Sequence, residues 1–118
     1  MAARLGRVLR RAEDVVFVAE ATASRVIGWL HGAEQELLES GRRCEILGLV
    51  VDAEHRGHGI GRLLVAAVET WARARGLELV TVRSNVTRSE SHSFYQRLGY
   101  VNVKTQHAYR KRMPEPAA

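Results

Sequence analysis

The stretch Ile46-Leu47-Gly48-Leu49-Val50-Val51-Asp52-Ala53-Glu54-His55-Arg56-Gly57-His58-Gly59-Ile60-Gly61-Arg62 decides the fold of this chain. It leads from an apolar, strand-like run ending at Val51, through a glycine-rich turn, into an amphipathic helical run from Ile60 to Arg75. Arg56, Gly59 and Gly61 give the spacing R-x-x-G-x-G. Glycines at the mouth of a helix let backbone N–H groups approach a ligand closely. The helix start adds partial positive charge, so the turn suits a phosphate.

Upstream of the turn, Cys44 to Val51 alternates with apolar residues on both faces, which predicts an interior strand covered on both sides. Gly48 inside it marks a bulge or a close approach by another group. Downstream, Ile60, Leu63, Leu64, Ala67, Val68, Trp71 and Ala74 form a helical stripe, with Arg62, Glu69, Thr70 and Arg73 facing out. Gly76 ends that helix and Leu77 to Val82 is the next strand, which completes a β-α-β unit with parallel strands. Val15 to Ala19 and Arg25 to Leu30 read as two earlier strands, and the polar stretch from Glu34 to Gly41 holds a hairpin connection or, in its first residues, a continuation of the second strand. Leu5, Val8, Leu9 and Ala12 recur at helical spacing and predict a short N-terminal helix. Thr87-x-x-Glu90 is a capping box for a second long helix that ends at Gly99. Tyr100 to Val103 and Gln106 to Arg110 predict a closing hairpin.

The whole chain of 118 residues suits one small domain. Its 46% hydrophobic and 26% charged residues point to a folded globular protein. No apolar run approaches the roughly 20 residues that span a bilayer, and the arginine-rich start lacks the apolar core of a signal peptide, so a cytoplasmic location and no membrane partner are expected. Cys44 is the only cysteine and reads as a buried packing residue. The net charge of +5 favours an anionic partner. Nucleic acid is disfavoured, because Arg4, Arg7, Arg10 and Arg11 have no interleaved aromatic residues and no helix-turn-helix pattern follows. His55 and His58 flank Arg56-Gly57 without a carboxylate or cysteine at ligand spacing, so no metal is expected. A P-loop would need Gly-Lys-Ser/Thr where Gly61-Arg62-Leu63 stands, and the spacing of a dinucleotide fingerprint is absent.

The order β-β-β-α-β-α-β-β, with R-x-x-G-x-G opening the first long helix, resembles the GNAT superfamily of acetyl-coenzyme-A-dependent N-acetyltransferases. The segment Ser93-Phe94-Tyr95-Gln96-Arg97-Leu98-Gly99-Tyr100 is similar to that family's F-Y-x-x-L-G-F/Y segment. The likeness runs from about Leu5 to Met113. It implies an α/β (α+β) fold with a mixed, mostly antiparallel sheet of about six or seven strands, a splayed central β-α-β unit and about three helices.

The resemblance also implies a function: transfer of an acetyl group from acetyl-coenzyme A to a primary amine of a small molecule or protein. A different class, a non-catalytic acyl-coenzyme-A-binding or regulatory module, is the alternative. Under the resemblance the turn of Arg56, Gly57, His58, Gly59, Ile60, Gly61 and Arg62 holds the coenzyme pyrophosphate. Leu49, Val50 and Val51 lend backbone groups to the pantetheine arm, and Asn85 is a polar contact to the coenzyme. Tyr95 takes the place of the general acid that protonates the departing thiolate. Glu45, eleven residues before Arg56, takes the place of a general base used in one branch of the family. Its plain reading, an exposed carboxylate or an ion-pair partner of Arg42 or Arg43, stays open beside that one.

Members of the family usually carry another strand and about two helices before the segment equivalent to Val15–Ala19. Here one short helix is expected there. That leaves three options: a second subunit completes the acceptor wall, a large substrate docks on an open site, or the chain starts further upstream. An uncovered edge at Val15–Ala19, or at the closing hairpin, predicts a homodimer.

Overall fold

A computed structural model describes residues 4–8, 12–22, 25–38, 41–82, 89–103 and 109–114. They fall into two compact units, Met1–Ser84 and Asn85–Ala118. The first unit is a five-stranded sheet covered on one face by a helix. Its strands are β1 (Arg4–Val8), β2 (Asp14–Glu20), β3 (Val26–Leu37), β4 (Gly41–Val51) and β5 (Val80–Val82), and the order across the sheet is that of the sequence. β1 to β4 pair antiparallel; β5 pairs parallel to β4 after the crossover helix α1 (Ile60–Ala74). This is the mixed, mostly antiparallel sheet with a β-α-β unit that the sequence predicts.

Two glycines of β3 seat the helix. A Cβ on Gly32 would stand 2.7 Å from Val68 Cγ2, and one on Gly28 would stand 3.3 Å from Ile60 Cγ2. Bare backbone at these positions lets α1 lie close to the sheet. Ile60, Leu64, Val65, Val68, Trp71 and Ala72 are the buried residues of α1, and they meet Val15, Leu30, Cys44 and Ile46 in the core. The stripe is therefore turned slightly from the predicted one: Val65 and Ala72 are inside while Leu63 is 45% exposed. Gly76, at φ 77°, ends the helix as expected. Beyond it, Leu77 N–H donates to the Ala72 carbonyl at 2.9 Å and the Leu77 side chain is buried.

Three expectations are corrected. The N-terminal segment is strand β1 rather than a helix, because Leu5 to Val8 finds the open edge of β2, with Leu5 opposite Ala19 and Val8 opposite Val16. Its helical spacing covers too few residues to outweigh a ladder of sheet hydrogen bonds. In consequence Val15–Ala19 is not a sheet edge: β1 covers it. The closing hairpin is also not seen among the described residues, where Tyr100–Val103 and Tyr109–Arg110 carry no strand. Residues 104–108 and Thr87 of the capping box lie outside the described residues. β3 continues past Leu30 into the polar stretch, the option left open there; it runs on to Leu37 and pairs Glu34 with Cys44 and Glu36 with Arg42.

The second unit holds α2 (Ser89–Arg97). It closes with Leu98 N–H donating to the Tyr95 carbonyl at 3.1 Å and Tyr100 N–H to the same carbonyl at 3.0 Å, across Gly99 at φ 94°. Glycine is needed there because the left-handed backbone disfavours a side chain. No described helix is long and apolar enough to cross a membrane.

Candidate active site

β4 changes character in its middle. As β3 steps from His31 to Gly32, β4 steps from Gly48 to Ile46, so Leu47 is an extra residue and the strand bulges there. Gly48 makes this possible: a Cβ on it would stand 2.9 Å from the Trp29 ring. This is the close approach that an interior glycine suggests.

Before the bulge, Cys44, Glu45 and Ile46 are flanked by β3 on one side and by Val80, Thr81 and Val82 of β5 on the other. After it, no described strand stands against Leu47–Val51 on the β5 side. The alternation of hydrogen bonds fixes which groups face that open side. Cys44 N–H donates to the Leu79 carbonyl at 3.0 Å, toward β5, and Asp52 N–H donates to the Ile27 carbonyl at 2.7 Å, toward β3. Counting back from Asp52, Val50 turns its backbone groups toward β3, and Leu49 and Val51 turn theirs to the open side. The Val51 carbonyl is taken there by Arg56, whose Nε–H donates to it at 3.1 Å.

The turn follows at once. A short 3-10 helix, Ala53–His55, bends the chain away from the sheet. His55 is buried, and its Nδ1 lies 3.3 Å from Asp52 Oδ2. The same oxygen accepts from Arg25 Nη2–H at 3.2 Å, so Asp52 ties the turn to the start of β3. Gly57 and Gly59 both have left-handed backbones, at φ 81° and 80°, and nothing stands within 4 Å of where their Cβ atoms would be.

Gly59 is the N-cap of α1 and offers no side-chain cap, and the first turn carries no acidic residue. The amides of Ile60, Gly61 and Arg62 therefore have no partner within the helix and sit at its positive end. Arg56, His58 and Arg62 are exposed around them. Ile60 is buried against Gly28, so only its backbone is available. An open, uncapped, cationic cradle of this kind fits a pyrophosphate, and the adjoining side of β4, which no described strand pairs, fits an extended chain.

The sheet face opposite α1 carries the titratable groups. Glu45 is 6% exposed, stands opposite Ala33 on β3 and Thr81 on β5, and is engaged in an interaction of its own. Thr81 Oγ1 is buried with no hydrogen-bond partner among the described residues. On the same face His31 Nε2–H donates to Asp14 Oδ2 at 3.3 Å. Neither Asp14 nor His31 is conspicuous in the sequence, because the two are 17 residues apart and meet only through the β2–β3 register. Among the described residues no three His, Cys, Asp or Glu side chains group as a metal site.

Tyr95 belongs to the second unit, on α2. Its ring meets Phe94 edge-on at 5.0 Å and Tyr100 at 5.7 Å. Burial pushes its phenol above the usual tyrosine range, which keeps it protonated at neutral pH. Asn85 lies outside the described residues.

The sequence profile described as the acetyltransferase (GNAT) family matches residues 2–100. An aminoglycoside N(6')-acetyltransferase type 1 from Stenotrophomonas maltophilia is 29% identical over 119 residues, which is 97% of this chain and 76% of that protein. An aminoalkylphosphonate N-acetyltransferase from Salmonella typhimurium is 45% identical over 56 residues, 48% of this chain and 36% of that protein. Against the second relative, then, the chain spans well under half the length. Among solved structures, AAC(6')-Iy in complex with the bisubstrate analog CoA-S-monomethyl-acetylneamine has a TM-score of 0.80 at 22% identity, covering 87% of this chain and 72% of that one. AAC(6')-Ih from Acinetobacter baumannii has a TM-score of 0.76 at 21% identity, covering 88% of this chain and 74% of that one.

Proposed function

The chain belongs to the acetyltransferase (GNAT) family of acyl-coenzyme-A-dependent N-acyltransferases, and from that premise we propose that it moves an acetyl group from acetyl-coenzyme A to a primary amine of a small molecule, with aminoglycosides the first acceptors to try. The observation that carries this reading is the uncapped glycine cradle at α1 beside the half of β4 that has no strand partner on its β5 side among the described residues. In it the amides of Ile60, Gly61 and Arg62, with Arg56, Gly57, His58 and Gly59 around them, hold the pyrophosphate. Leu49 and Val51 offer backbone groups to the pantetheine arm, and Val50, 47% exposed, offers its side chain beside them. Asn85 remains a proposed polar contact.

The coenzyme supplies an activated thioester; the chain supplies position and proton handling. α1 covers one face of the sheet, so the amine reaches the thioester from the other face, where Glu45 lies. A carboxylate there attracts an ammonium group and is a candidate to take its proton. Tyr95, whose phenol is held neutral, is the proposed donor to the departing thiolate. The relatives named for aminoglycosides and aminoalkylphosphonates support a small amine as acceptor.

A homodimer is proposed through the outer edge of β1, which no described strand covers. Light scattering should then give about twice the 13.2 kDa chain mass.

The test is thermal unfolding with and without acetyl-coenzyme A, followed by turnover of acetyl-coenzyme A against amines, peptides and aminoglycosides. A ligand that binds only the folded state raises the melting temperature. No rise, together with no turnover on any acceptor, would sink the reading.

A further inference from the structure

We propose that His31, oriented by Asp14, is the group that takes the proton from the acceptor ammonium. This rests on the reading of the site given above. Four observations lead to it. First, the parity of β3 puts His31 on the face opposite α1, since Gly28 and Gly32 point at the helix. Second, His31 stands directly opposite Gly48, beside the bulge past which no described strand pairs with β4 on its β5 side. Third, its side chain is 30% exposed, whereas that of Asp14 is 10% exposed. Fourth, the Asp14 carboxylate occupies Nε2 at 3.3 Å, which leaves Nδ1 as the nitrogen that can accept a proton.

A carboxylate behind an imidazole fixes its tautomer and stabilises the imidazolium that forms. Glu45, on the same face but 6% exposed and already partnered, is poorly placed to meet a substrate arriving from water. Its charge can still draw the ammonium toward the sheet. By strand parity the other charged groups on that sheet face are Asp14 and Glu20 on β2 and Glu45 and Arg43 on β4; Asp14 and Glu45, both at the level of Ala33, are nearer His31 in register, and Glu20 and Arg43 are further along their strands. Trp29, 39% exposed, flanks it on β3 and gives the acceptor an apolar surface.

The proton and electron account closes without another reagent. The ammonium gives one proton to His31 Nδ1. The freed lone pair forms the C–N bond at the thioester carbon, and the C–S bond breaks with its electron pair on the coenzyme sulfur. The second nitrogen proton ends on that sulfur as a thiol, and His31 returns its proton to water.

The test compares two acceptors of like size at pH 7: benzylamine, which is protonated there, and phenylhydrazine, whose reacting nitrogen is already neutral. His31→Gln should lower kcat/KM for benzylamine by roughly 100-fold and for phenylhydrazine by less than about threefold, because only the first needs a base. Asp14→Asn should show the same split at about tenfold. Melting temperature and its rise with acetyl-coenzyme A should be unchanged in both variants. Equal losses on the two acceptors would make His31 a packing residue and overturn the proposal. So would a split that follows Glu45→Gln instead. Absence of benzylamine turnover by wild-type protein that still binds acetyl-coenzyme A would overturn it too. Failure to bind acetyl-coenzyme A at all would sink the underlying reading of the site instead.

Discussion

The two halves of β4 share one strand and differ in nearly everything else. Gly41–Ile46 is held by β3 on one side and, over Cys44–Ile46, by β5 on the other, and Cys44, Glu45 and Ile46 are buried. Leu47–Val51 has β3 alone among the described residues, and Leu47 and Val50 are about half exposed, at 50% and 47%. One extra residue, Leu47, separates them. The difference teaches that the bulge divides labour. The first half pins the sheet to α1; the second, which no described strand pairs on its β5 side, is where the extended arm of the coenzyme is proposed to lie.

The strongest way to break this division is Gly59→Asp. A Cβ at Gly59 meets no atom within 4 Å, so the main cost to the fold is that of a side chain on a left-handed backbone, about 1 kcal/mol. It also puts a negative charge at the helix mouth where phosphates are proposed to sit. Coenzyme binding should fall by more than about 100-fold while the melting temperature without ligand moves by only a few degrees. Calorimetric titration and a thermal melt check the two halves of that statement. Equal coenzyme affinity in the variant would remove the turn from the site.

The opposite pattern is expected from Ile46→Ala. Ile46 is 3% exposed in the paired half, and removing its branch leaves a hole under α1. A loss of about 2–4 kcal/mol of stability follows from burial and cavity together. The rise in melting temperature on adding acetyl-coenzyme A should survive. Loss of coenzyme affinity here, beyond what unfolding explains, would show that the two halves are not separable.

These expectations also mark what could be read from the residues alone. The turn and its helix were legible because every determinant is local: Gly57, Gly59 and Gly61 lie within a few residues of the helix they open. Gly48 was legible for the same reason, as a glycine in a strand asks for a bulge or a close contact. The N-terminal strand was not, since Leu5, Val8, Leu9 and Ala12 fit a helical period while the edge of β2 decides the outcome. The Asp14–His31 pair was not legible either. It depends on the register of β2 against β3, and a slip of one residue would put the two side chains on opposite faces. Tyr95 and Gly99 were readable as a local segment.

The smallest expected effect tests the paired half by its charge. Glu34, opposite Cys44 on β3, accepts from Arg42 Nε–H at 2.7 Å and from Arg75 Nε–H at 2.9 Å, so it joins the β3–β4 hairpin to the C-terminal end of α1. The hydrogen bond from Arg42, then that from Arg75, hold its carboxyl below the usual range. A carboxyl whose folded value is depressed stabilises the fold in full above its unfolded value, about 4.3, and loses that share as pH falls through the lower folded value. Glu34→Gln removes the charge and keeps the shape. At pH 7 it should lower the melting temperature by a few degrees, a modest amount because both arginines are partly exposed and solvent screens them. As pH is lowered below about 4, wild type should descend toward the variant and the gap should close. A gap that stays constant down to acid pH would assign the effect to packing rather than charge. A change in coenzyme affinity at pH 7 would show that the clip at the end of α1 reaches the phosphate turn at its start.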